Sequence, residues 1–92
     1  MATNYFVISF SIKYDEDYSE RRNSLLDAIR GHGKTYEDTT SFVILKTGSE
    51  QSSVELSMRI SKINMSKDSL VILQCFSSTF KNYGKAKPLK FT

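Results

Sequence analysis

Between residues 4 and 13 the chain reads NYFVISFSIK, where Phe6, Ile8, Phe10 and Ile12 occupy every second position and Tyr5, Val7, Ser9 and Ser11 lie between them. A period of two puts successive side chains on opposite faces of a strand, and β-branched and aromatic residues suit its pleated surface. The pattern predicts a first strand with one apolar face against a helical layer and one half-polar face turned to solvent or a second subunit. Tyr14, Asp15, Glu16 and Asp17 end that strand, and Asp17 followed three residues later by Glu20 has the form of a capping box. Over residues 18–30, Tyr18, Arg22, Leu25, Leu26 and Ile29 recur at helical spacing, with Arg21, Asn23, Ser24, Asp27 and Arg30 mostly opposite. Acids open this helix and Arg30 closes it, in keeping with the helix dipole, and Gly31 and Gly33 supply a stop.

Residues 34–38 and 39–47 then predict two strands joined near Glu37 and Asp38, and Thr47, Gly48 and Ser49 break the chain. Residues 53–63 fit both templates: Val54, Leu56, Met58 and Ile60 alternate, while Leu56, Ile60 and Ile63 match a helix. Length and the absence of Gly and Pro favour a helix over residues 50–63 with Ser49 as N-cap. Leu56, Ile60 and Ile63 would then form its main stripe, with Val54 and Met58 opposite. After the polar connection 64–68, residues 69–76 (SLVILQCF) read as an apolar strand expected in the middle of the sheet. The order strand, helix, strand, strand, helix, strand predicts an α+β chain with a ferredoxin-like β-α-β-β-α-β architecture. Its sheet is antiparallel, both helices lie on one face, and an extra C-terminal strand or tail follows.

With 92 residues, 39% apolar and 25% charged, the chain holds one layered core: residues 1–79 as the domain, 80–92 as strand or tail. The apolar runs are far shorter than the roughly 20 residues that span a bilayer, and the N-terminus lacks a secretory pattern, so no membrane contact and a cytoplasmic location are expected. Cys75 is the single cysteine and reads as a core residue. The net charge of +3 is unevenly placed: residues 80–92 carry four lysines and no acid, whereas residues 1–79 carry nine basic and ten acidic side chains. Lys81, Lys85, Lys87 and Lys90 interleave with Phe80, Tyr83 and Phe91, a pattern suited to phosphate contact with base stacking and equally to a guarded edge strand. Arg21, Arg22 and Arg30 are secondary candidates for the same contact. His32, the lone imidazole, sits in a Gly-His-Gly turn and reads as an exposed turn residue; Asp68 reads as a cap or turn residue before the last strand.

The order of elements, with NYFVISF at 4–10, TSFVI at 40–44 and DSLVI at 68–72, resembles the ferredoxin-fold group containing the CRISPR adaptation endoribonuclease, the VapD toxins and the SinR-like proteins. The resemblance implies a homodimer. In the nuclease branch an Asp at the end of the first strand holds a divalent metal, and the matching triplet here is Phe10, Ser11, Ile12. A neutral hydroxyl is a poor ligand for a hard dication, so the apparent replacement of the catalytic Asp by Ser11 implies binding without cleavage and no metal or other cofactor. The expectation is a non-catalytic, homodimeric module acting on RNA, DNA or a nucleic-acid-handling protein. The alternatives are an antitoxin-like or anti-defence inhibitor working by protein binding alone and a metal-dependent endoribonuclease.

Overall fold

The computed structural model describes residues 3–37 and 41–76. The elements run β1 (Asn4–Ser11), α1 (Tyr18–Arg30), β2 (Gly33–Tyr36), β3 (Phe42–Thr47), α2 (Gln51–Arg59) and β4 (Ser69–Cys75). The four strands form one antiparallel sheet in the order β2-β3-β1-β4. This is the ferredoxin-like α+β arrangement: each helix connects two strands that are not neighbours, and the first and third strands meet in the centre.

The period-two reading of β1 holds in space. Phe6, Ile8 and Phe10 are buried and pack with Val43 and Leu45 of β3 beneath Leu25, Leu26 and Ile29 of α1 and Val54 and Met58 of α2, so both helices share one face. Ile12, Leu70 and Ile72 pack at the margin of this core. At about 1.5–3 kcal/mol for each large apolar side chain fully buried, these contacts are the principal force holding helices to sheet.

Three local expectations do not hold in the structure. Asp17 occupies the N-cap position of α1 without a side-chain capping bond. Its amide instead donates to Asp15 Oδ1 at 3.0 Å, and the Glu20 carboxylate pairs with Lys62. In α2 the apolar faces are reversed: Val54 and Met58 are buried, and Leu56 and Ile60 are 56% and 77% exposed. The helix ends at Arg59, so Ile63 lies beyond it and was never on the same helical face as Leu56. Finally, β4 is the edge of the four described strands, not their middle. Its Val71 and Leu73 remain 54% and 62% exposed, so its continuous apolar sequence does not reflect burial on both faces. Among the described residues no helix is long and apolar enough to cross a membrane.

Gly33 is a glycine that the fold requires. A Cβ there would stand 2.2 Å from the carbonyl oxygen of Lys46, so only the absence of a side chain lets β2 lie this close to β3.

Candidate nucleic-acid interface

The register defines which side chains share the face turned away from the helices. Paired residues point to the same side of a sheet. The pairing Lys34↔Lys46↔Tyr5↔Cys75 therefore makes one row across all four strands. The next row is Tyr36, Ile44, Val7 and Leu73, followed by Phe42, Ser9 and Val71, and then Ser11 with Ser69. Tyr36 and Ile44 are buried, whereas Lys34, Lys46, Ser9 and Ser11 are exposed and Tyr5, Val7 and Phe42 are half-buried. Burial raises the Cys75 thiol above its ordinary range, which disfavours the reactive thiolate.

Among the described residues no acid belongs to this face. The nine described acids lie elsewhere: Asp15, Glu16 and Asp17 between β1 and α1, Glu20 and Asp27 on α1, Glu37 just after β2, Glu50 and Glu55 at α2, and Asp68 before β4. Glu37 turns toward the helices, where its carboxylate takes two hydrogen bonds from Arg30, at 2.9 and 2.5 Å. That pairing holds Glu37 below the usual carboxylate range. Lys34 and Lys46 take part in none of the ion pairs formed among the described residues.

The three arginines singled out from sequence sit on the helical side and are not brought together with this face. Arg21 is a correction to the polar position assigned from the helical wheel: it is buried, 6% exposed. Its Nε donates to Asp68 Oδ2 at 3.1 Å, Nη1 to Asp15 Oδ1 at 2.8 Å and Nη2 to the Lys13 carbonyl at 2.8 Å. A guanidinium so engaged joins α1 to both chain segments around it and has no fork left for a phosphate. Its hydrogen bond brings Asp15 down to about 2. Burial pushes Asp68 upward, but amide donors from Asn64 and Lys13, at 2.9 Å each, and Arg21 outweigh it and hold the carboxyl low. Asp68 is thus the anchor of a structural ion pair, a stronger role than the turn residue read from sequence. Arg22 lies 6.0 Å from the Phe10 ring centroid, and Arg30 is engaged with Glu37 and, at 3.7 Å, Asp27.

His32 also differs from the exposed turn residue expected. It is half-buried, with Nδ1 2.9 Å from Ser49 Oγ and Nε2 2.7 Å from Ser57 Oγ. The ring clamps the end of α1 to the loop before α2 and to α2 itself. Ser11 ends β1 on the exposed face, paired in register with Ser69. Among the described residues no group of three or more His, Cys, Asp or Glu is placed to hold a metal. Phe80, Lys81, Tyr83, Lys85, Lys87, Lys90 and Phe91 lie outside the described residues, as does the 80–92 strand or tail.

Sequence reasoning missed Lys34 and Lys46. Each was visible as a lysine in a predicted strand, but their adjacency follows from a pairing between strands that no local pattern encodes. Compared with known proteins, the sequence matches no family model and no curated protein.

Proposed function

We propose that this chain is a non-catalytic nucleic-acid-binding module acting as a homodimer. The observation that carries this reading is the segregation of charge: among the described residues, the sheet face opposite the helices holds two lysines outside any ion pair, beside Tyr5, and every carboxylate lies off that face. A polyanion approaching it meets positive potential and aromatic surface, with the described carboxylates turned elsewhere. The lysine and aromatic residues of 80–91 extend the same chemistry in sequence, with Lys81, Lys85, Lys87 and Lys90 for phosphates and Phe80, Tyr83 and Phe91 for stacking. Ser11 in the place of a metal-binding carboxylate supports gripping over cutting.

A second reading, contact with another protein, is favoured by β4, the edge of the described strands, whose Val71 and Leu73 are more than half exposed and which Phe76, also exposed, follows. An apolar edge invites pairing with another chain, either a second copy or a nucleic-acid-handling target of an inhibitor.

Binding isotherms with RNA and DNA across a salt series, with and without Mg²⁺, test the proposal. The expected result is affinity falling steeply with salt and intact nucleic acid at the end of incubation. Absence of binding at low salt favours the protein contact. Chelator-sensitive cleavage by the unaltered chain overturns the non-catalytic reading in favour of a metal-dependent endoribonuclease.

A further inference from the structure

Lys34 and Lys46 stand directly opposite each other on neighbouring strands, an arrangement that destabilises a sheet unless an anion answers it. The close approach that only Gly33 permits holds the two strands at this spacing. Beside the pair opens a cleft of about 280 Å³, lined by Thr3, His32 and Thr47 together with the two lysines, with no acid among its described lining residues. Tyr5, the next member of the row, pairs with Lys46 and is half-buried, so part of its surface faces outward.

We infer that this row binds a single nucleic-acid strand, with backbone phosphates on Lys34 and Lys46 and a base against Tyr5. The inference rests on the nucleic-acid reading above and specifies its ligand. Neighbouring strands are about 4.8 Å apart, so the lysines and the ring lie within a span of roughly 10 Å, the reach of a few nucleotides. A duplex keeps its base faces stacked internally, whereas an unpaired strand can turn one onto an aromatic side chain. Two exposed lysines and a half-buried ring on a sheet, with no described element projecting into a groove, suit the unpaired strand.

The test is fluorescence anisotropy with a labelled oligothymidylate of about a dozen nucleotides, alone and annealed to its complement, over a salt series. The proteins are the full chain and its Lys34→Gln/Lys46→Gln, Tyr5→Leu, Tyr5→Phe and Lys85→Gln/Lys87→Gln variants. Removing the two sheet lysines should reduce the slope of log affinity against log salt by about 1.4, at roughly 0.7 per phosphate on a single strand. Tyr5→Leu should weaken binding by about 5- to 100-fold with little change in slope, and Tyr5→Phe should bind as the parent does. The single strand should bind more tightly than the duplex. Parental affinity and slope in the sheet-lysine variant, with both reduced in the Lys85/Lys87 variant, overturn the inference and leave the nucleic-acid reading standing. Duplex bound as tightly as single strand also overturns it, and a parent that binds neither probe removes both. The sheet lysines are exposed and repel each other, so their replacement should leave the melting temperature at or above the parental value, which confirms that the variant is folded.

Discussion

Asp68 presents no side-chain surface to solvent and Arg21 only 7%, so their ion pair is held in a setting where neither partner can fall back on water. Removing one member of a buried pair strands the other charge, and that penalty exceeds what the pair itself contributes. Arg21→Met should therefore lower the melting temperature by upwards of about 10 °C in a domain of this size, measured by circular dichroism at neutral pH. The pair also sets the acid sensitivity. Asp15 titrates near 2 and Asp68 below its usual range, against about 3.9 in an unfolded chain. Depressed carboxylates stabilise the fold fully above the unfolded value and lose that contribution as pH falls through the folded one. Melting temperature should thus hold steady down to about pH 5 and drop between about pH 4 and 2. In Arg21→Met that drop should shrink, because burial, which pushes Asp68 upward, loses a main opponent. An unchanged acid limb in the variant would show that other groups govern it. Gly33→Ala presents the opposite case, an added atom: with 2.2 Å between its Cβ and the Lys46 carbonyl, β2 must move off β3, at about 1–3 kcal/mol. Urea titration would read that loss as a lower midpoint with unchanged slope.

Elements were legible from sequence where their own pattern decided them, and obscure where a partner did. The bounds of α1 follow its periodicity, and β1 alternates as its sequence does, since both have a face wide enough to commit to one core. In α2 two apolar pairs competed. Val54 and Met58 went inward because the helix stops at Arg59, which leaves the Leu56, Ile60, Ile63 stripe without a shared axis. Arg21 was misplaced for a related reason: its stem and fork are drawn inward by Asp68, a residue 47 positions away that a helical wheel cannot include. The placement of β4 at the edge likewise depends on crossovers between distant segments, not on its apolar content. The reversal of α2 is directly measurable. Met58→Ala should cost about 2–5 kcal/mol in chemical denaturation, whereas Ile60→Ala, at a position 77% exposed, should stay within about 0.5 kcal/mol. Equal effects at the two positions would mean that α2 is rotated from the orientation described.

At the scale of the whole molecule, a net charge of +3 is too small to specify a polyanion partner, and its spatial distribution must do so. The described acids lie on the helical side and in the loops, where five of them, Asp15, Glu20, Asp27, Glu37 and Asp68, pair with Arg21, Arg30, Lys62 or Lys67. On the opposite sheet face, Lys34 and Lys46 enter no ion pair among the described residues. If distribution governs binding, then adding one negative charge should matter by position and not by amount. Ser9 and Asn23 are both exposed, the first in the middle of the face that carries none of the described acids and the second on α1. Ser9→Glu and Asn23→Glu change the net charge equally and touch no core residue. The first should weaken oligonucleotide binding by about three- to tenfold at low salt, the second by much less, and the difference should close as salt screens the face. Equal losses in the two variants would make net charge, or a site away from the sheet, the determinant of binding.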